Sequence, residues 1–210
     1  MTSGKISRRR LLTATAAVTG AAVAAPLLAA GPAQAAVAGP SANGWPELPQ
    51  APWQPVEGSG LQVQLADGAA ALLLTYVARR FHYEIDQLRA GDLTGFTPTV
   101  AAGPAYETNY RSGTALAIRP HAYPFGVRGG FYPQELVVIR DILAELAGTV
   151  AWGGDFDQPK ESHFEIAYRP GHPSLDAAVR RIDGTASAGA VDAFQPARRT
   201  RAKQFERTNK

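Results

Sequence analysis

The chain of 210 residues contains no cysteine. That excludes disulfides, thiolate metal sites, cysteine nucleophiles and a cysteine-linked lipid anchor. Histidine is scarce, with only four residues, so a metal centre would have to be built from those few imidazoles together with Asp or Glu. No Gly-x-Ser-x-Gly elbow surrounds Ser112 or Ser162, which leaves serine catalysis without support. No internal repeat is present.

A surplus of one charge is also missing once the first residues are set aside. The stretch SRRRLL at residues 7–12 precedes a run of Ala, Leu and Val that ends in AQA at residues 33–35. A double arginine, a mildly apolar middle and small residues at the cut predict a twin-arginine export signal over 1–35 and a secreted, cell-wall-side protein. Of the 21 Lys and Arg, this leader holds four and no acid, which leaves 17 against 18 Asp and Glu. The basic whole-chain pI therefore reflects the leader, and no nucleic-acid partner is expected. The expectation is a monomer that meets the membrane only during export.

The remaining length suffices for one domain with a core. Residues 36–60, rich in Pro and Gly, read as an extended segment that leans on the domain through Trp45 and Trp53. Residues 61–185 read as the domain and 186–210 as a basic, mobile tail. LQVQLA alternates as a half-buried strand from Leu61. Asp67 is expected to cap a helix over 68–81 with a stripe through Leu72, Leu73, Tyr76, Val77 and Arg80. RAGDLTGF reads as a turn and TALAI (114–118) as a strand. Pro133 opens a second helix through about Ala147, stopped by Gly148. TVAW and HFEIAY read as strands around the turn GGDFDQPKES, and Ser174 is placed to cap a last short helix through Ile182. The pattern predicts a small α+β domain, an antiparallel sheet with helices packed on one face.

Three segments carry the candidate chemistry: TNYRSGTALA (108–117), WGGDF (152–156) and KESHFE (160–165). With YVARRFHYEIDQLRAGD and VVIRDILAELAG, they resemble the zinc D-alanyl-D-alanine carboxypeptidases of the VanY-like class, in their secreted actinobacterial branch. The resemblance runs from about Asn43 to Ile166 and implies a D-Ala-D-Ala carboxypeptidase/hedgehog-like fold. In that family a His, an Asp and a later His hold zinc, and an acid three residues before the last His is the base. Gly113, Ala115, Gly153, Gly154, Asp155, His163, Phe164 and Glu165 match the pattern. The first ligand position holds Tyr110, the second Ala117 and the base position Lys160. A family arginine thought to bind substrate falls at Thr97.

Each replacement removes a function. Alanine has no donor atom, a neutral phenol with a pKa of ~10 is a poor zinc ligand, and an ammonium can neither take a proton from water nor tolerate a nearby cation. One kept ligand, His163, does not hold zinc in a site built for three. Gly113, Asp155 and Glu165 are expected as cleft or structural positions, with the Asp155 carboxylate holding its turn through backbone N–H groups. His121 is the candidate substitute ligand, with Asp155, Asp157 and Glu161 near His163 in sequence. The bland alternatives are a loop histidine at 121, a solvated turn residue at Glu161, surface or satisfied histidines at 82 and 172, and a hydrogen-bonded strand histidine at 163. The resemblance thus implies an exported, catalytically inactive domain without cofactor, whose cleft binds peptidoglycan stem peptide or a cell-wall enzyme. The competing expectations are an active zinc peptidase with relocated ligands and a decayed relative without function.

Overall fold

A computed structural model describes residues 39–186 and 192–209; the expected export signal lies outside the described residues. Trp53–Val56 (β1) and Leu61–Gln64 (β2) pair antiparallel. Gly58 and Gly60, both at positive φ, let the chain reverse between them, and Ser59 Oγ ties the turn to Val56. Part of the segment read as extended is therefore a hairpin, since alternate residues such as Val56 and Val63 enter the core. Of the two indoles, Trp45 docks by donating Nε1–H to the Tyr168 carbonyl at 2.8 Å, while Trp53 stays 62% exposed.

The first helix, Ala69–Glu84 (α1), runs a turn beyond its expected end. Its N-cap is Gly68 at φ 79°, without a side-chain cap; Asp67 instead accepts a hydrogen bond from Gln54 at 2.8 Å. Of the expected stripe, Leu73, Tyr76, Val77 and Arg80 are buried and only Leu72 is exposed; Leu74 and Phe81 complete the inward face. The second helix, Pro133–Glu145 (α2), opens on proline, and Glu135 accepts from the Tyr132 N–H at 2.7 Å. It ends in a Schellman motif: Ala147 N–H donates to Ala144 and Gly148 N–H to Leu143. The left-handed residue expected at Gly148 alone is shared by Ala147, at φ 51°, and Gly148, at φ 74°.

A second antiparallel sheet is built from Leu93–Thr94 (β3), Ala115–Ile118 (β4), Val150–Trp152 (β5) and His163–Ile166 (β6), in the order β3-β4-β6-β5. RAGDLTGF is thus not only a turn; its Leu93 and Thr94 add an edge strand opposite Ile118 and Ala117. Two-residue periodicity divides this sheet. Leu116, Ile118, Phe164, Ile166, Val150 and Trp152 share one core with α1 and α2. Ala115, Ala117, His163 and Glu165 occupy the other face, with Ala117 directly across from His163 and Ala115 across from Glu165.

The domain is α+β with two antiparallel sheets rather than the single expected sheet. Its remaining helices are Pro173–Ala186 (α3) and Pro196–Asn209 (α4). The former begins before the expected Ser174 cap, and proline at the first helical position explains the start. The mobile-tail expectation is corrected over 196–209. There α4 packs on α2: Ala202 is buried, Phe205 packs against the core and Gly148, and Arg198 enters an ionic cluster.

That cluster is the largest departure from the sequence reading. Arg80 is 4% exposed and faces Asp141 at 2.9 Å, Glu145 at 2.8 Å and Glu84. Arg198 reaches Asp141 at 2.6 Å and Glu145 at 2.8 Å, and Tyr76 donates its hydroxyl to Glu145 at 2.6 Å. Burial and the hydrogen bond to Glu145 push the Tyr76 phenol up to about 12. A basic helix edge has become the polar centre of a three-helix junction, where buried charges persist because each has a partner.

Candidate functional site

The β4–β6 pairing brings together the positions that the sequence singled out. His163 is fully buried, and both ring nitrogens are engaged. Nδ1 lies 2.8 Å from the Tyr110 hydroxyl and Nε2 lies 2.9 Å from Glu165 Oε2. An ionised carboxylate only accepts, so Nε2 carries the proton and Nδ1 is left to accept from Tyr110. Burial, then the charges of Glu107 and Glu165, hold the Tyr110 phenol well above its ordinary value, which keeps it a donor. The hydroxyl stands where a metal on Nδ1 would have to be.

The rest of the site closes around this pair. Tyr110 ends the 3-10 turn Ala105–Tyr110 and packs against Ala115 and Ala117. Tyr106, Tyr110 and Phe156 place ring centroids 4.8, 5.3 and 5.9 Å from the His163 ring. Burial, followed by the charges of Glu107 and Glu165, pushes the Tyr106 phenol up to about 12. Lys160 pairs with Glu107 at 2.7 Å and sits 4.8 Å over the Tyr110 ring. Asn109, fully buried, donates to Glu165 at 2.6 Å and accepts from the Asn43 N–H at 3.1 Å. Asn43 in turn donates to Thr114 and to the Ile166 carbonyl. A polar chain thus runs from the N-terminal segment through Asn109 and Glu165 to His163 and Tyr110.

Above it lies a cleft of about 210 Å³ lined by Thr94, Thr97, Val100, Glu107, Tyr110 and Lys160, with Ala117 at its base. The position at which the family arginine falls, Thr97, is on this wall. Two glycines of the WGGDF segment are sterically required. A Cβ on Gly153 would lie 2.4 Å from the Lys160 carbonyl oxygen and 2.9 Å from His163 Cβ, and one on Gly154 would strike the Trp152 ring at 2.3 Å. Gly113, at φ 66°, supplies the turn into β4 and lets its carbonyl accept from Ala66 N–H at 2.9 Å.

Other candidates lie elsewhere. Asp155 does not hold its turn through backbone N–H groups; its carboxylate takes both ends of the Arg140 guanidinium, and Arg128 holds the turn by donating to the Gly154 and Phe156 carbonyls. Glu161 is not a solvated turn residue. Its two oxygens accept from the Gly129 and Gly130 N–H groups at 2.7 and 2.8 Å, in a chain reversal where two successive glycine amides point to one anion. His121 is 63% exposed and faces Asp92 at 3.4 Å. It shares no contact with His163. His82 accepts from Leu88 N–H, and His172 stacks on Tyr168 at 4.0 Å. Ser112 bonds the Asn109 carbonyl and Thr114, and Ser162 bonds the Tyr123 carbonyl; neither hydroxyl is hydrogen-bonded to a histidine.

Among the described residues, no three His, Asp or Glu side chains are grouped so as to hold a metal ion. The residues do not fit zinc for a more direct reason: the remaining imidazole has no free lone pair, and an ammonium faces the same space. Tyr110, His163 and Glu165 are linked as a nucleophile, base and orienting carboxylate would be. Tyr110, however, is 3% exposed and its raised phenol pKa opposes ionisation, so the linkage orders a core rather than activating a hydroxyl.

Asn109, Glu107 and Tyr106 were missed by the sequence reading. Their roles come from contacts more than fifty residues apart in sequence, such as Asn109 with Glu165 and Lys160 with Glu107, which no local pattern announces. Comparison with protein-family models, with curated proteins and with solved structures finds no match to this chain.

Proposed function

We propose that this protein is an exported, non-catalytic relative of the zinc D-alanyl-D-alanine carboxypeptidases whose cleft binds a peptidoglycan stem peptide. The observation that carries the reading is the pairing of Ala117 with His163 across two antiparallel strands, with Tyr110 and Lys160 at the same spot. Four positions from two separate segments lie together as the ligand and base positions of the family motif would, yet Tyr110 is bonded to His163, Lys160 to Glu107, and Ala117 has no donor atom. The α+β architecture is compatible with a D-Ala-D-Ala carboxypeptidase/hedgehog-like fold, which belongs to the same proposal.

A cleft of about 210 Å³ is smaller than drug-sized pockets. It suits the last residues of a peptide rather than a large ligand. The Lys160 ammonium offers a charge for a terminal carboxylate, and the hydroxyls of Thr94 and Thr97 offer partners for peptide groups. Binding would then leave the peptide intact, since the base position holds Lys160, whose ammonium takes no proton from water.

Elemental mass spectrometry on the purified mature protein tests the chemical half. The natural chain is expected to carry no stoichiometric zinc, and the Tyr110→His/Ala117→Asp/Lys160→Asp variant to acquire it. Near-stoichiometric zinc in the natural chain, or chelator-sensitive release of D-alanine, would overturn the proposal. The binding half predicts retention on purified peptidoglycan and its loss in Thr97→Trp, which fills the cleft. Equal retention of both proteins would remove the cleft from the interaction.

A further inference from the structure

A second surface, on α4, differs from the rest of the domain in how its charges are disposed. Elsewhere the cations are mostly paired: Arg79 with Glu57, Arg111 with Glu47, Arg119 with Asp86, Arg140 with Asp155 and Lys160 with Glu107. Over Pro196–Asn209 there are five Lys or Arg and one Glu. Only Arg198 is turned inward, to Asp141 and Glu145. Arg199, Arg201, Lys203 and Arg207 are exposed and form no ion pair with any described residue.

Their order on the helix is not uniform. At ~100° per residue, Arg199, Lys203 and Arg207 follow one another at intervals of four, within about 80° of arc and over about 12 Å of axis. Arg201 stands about 160° from Lys203 around the axis. Three cations at four-residue spacing repel one another, which on an isolated helix would favour fraying. Here the helix is held from its opposite face by Arg198, Ala202 and Phe205. The fold thus presents a row of three like charges, beside which the one acid of the helix, Glu206, is engaged by Arg140 at 3.4 Å.

We infer that this row binds a linear polymer of bridged phosphates, each carrying one negative charge. The cations lie about 6 Å apart along the helix, so that successive anions of one extended chain can each meet one. Arg199 and Arg207 provide planar guanidinium forks that match phosphate oxygens two at a time, and Lys203 adds a point charge between them. A bilayer fits less well. Beside the row stand Thr200, Gln204 and Thr208, all polar, so the outward face has no apolar side chain to insert among acyl chains. The inference is independent of the cleft, and concerns where the protein is held rather than what the cleft takes.

The test is a titration of the full mature chain with long-chain inorganic polyphosphate at several salt concentrations. Saturable binding is expected, weakened roughly tenfold or more in Arg199→Gln/Lys203→Gln/Arg207→Gln. The slope of log K against log salt should fall by about 2, since each lost contact on a single strand removes about 0.7. Among the described residues the three side chains make one internal bond, the long one of 3.4 Å from Arg207 Nε–H to the Lys203 carbonyl, so thermal stability should change little. If it drops, the single variants Arg199→Gln and Arg207→Gln should each still lower the slope by about 0.7. A matched loss of charge elsewhere, Arg89→Gln/Arg180→Gln/Arg201→Gln, should change binding by less than about threefold if the row rather than net charge is recognised. Equal weakening by both triple variants would overturn the inference. So would polyglutamate binding as tightly as polyphosphate, or retention only by vesicles containing phosphatidylglycerol.

Discussion

Arg198→Ala isolates the link between the last helix and the interior. Arg198 Nε lies 3.0 Å from both Asp141 oxygens, and Nη2 reaches Asp141 and Glu145 at 2.6 and 2.8 Å. Removing it leaves Arg80, among the described residues, as the guanidinium bonded to the carboxylates of Asp141, Glu145 and Glu84, while Asp141 itself is fully buried. Breaking a buried pair from one side costs about 3–5 kcal/mol. Arg198 is 18% exposed, so water can replace part of what it supplies, and about 2–3 kcal/mol is the better expectation. At ~2–4 °C per kcal/mol for a domain of this size, the melting temperature should fall by about 5–10 °C. The pH dependence has a definite sign. Burial alone would raise the Glu145 carboxyl, but hydrogen bonds from Arg198 and Tyr76 and the charges of Arg198 and Arg80 outweigh it and hold Glu145 below its ordinary value. A carboxylate depressed in the folded state adds stability above its unfolded pKa, and that contribution disappears as pH falls through the folded value. Without Arg198 the folded value rises, so the acid-unfolding midpoint should move to higher pH. Thermal melts from pH 3 to 7, with limited proteolysis over 196–209, check both parts. A loss below about 1 kcal/mol, the range of exposed pairs, together with an unmoved acid limb, would refute a role for the cluster in holding α4.

Two further substitutions probe the site and its scaffold. Tyr110→Phe leaves His163 Nδ1 without its donor inside the sheet and is expected to cost about 1–3 kcal/mol in urea denaturation, with the secondary structure unchanged; an unaltered midpoint would mean water replaces the hydroxyl. Gly113→Ala must hold φ 66° and bring its Cβ 2.7 Å from the Ala66 nitrogen, so a loss of about 2–4 kcal/mol is expected from the same measurement, and a loss under about 1 kcal/mol would show that the turn into β4 is free to move.

Helix existence was legible because periodicity and stop signals agree locally: Pro133 opens α2, and the chain leaves it at Ala147 and Gly148. The edge of the buried face of α1 was not, because LLL at 72–74 offers three candidate inward residues, of which Leu73 and Leu74 are buried and Leu72 is exposed. The edge strand at Leu93 and Thr94 is two residues long, too short to show a period. α4 was read as mobile because its sequence is strongly charged; what holds it is an inward arginine opposite Asp141 and Glu145 of α2. Charge alone does not reveal which of several arginines is buried.

At the site, the same limit had a different consequence. The three departures from the family pattern were visible at Tyr110, Ala117 and Lys160, and each read separately as a loss. Packed together they complement one another. The Tyr110 ring lies against Ala117, its hydroxyl satisfies the His163 imidazole, and the Lys160 ammonium finds Glu107 at one side and the tyrosine face at the other. Had only one of the three been changed, a buried carboxylate at 117 would lie beside a phenol, or His163 would keep an unsatisfied nitrogen within the sheet, at a cost of about 1–3 kcal/mol each. The physical content of the replacements is therefore a repacked and internally bonded sheet face rather than an empty one. That bears on the choice between a binding domain and a decayed one. On the proposed reading, decay would leave unsatisfied groups near the former metal position, whereas here His163 is fully bonded and the opening above it is walled by hydroxyls and the Lys160–Glu107 ion pair, groups a peptide end can use.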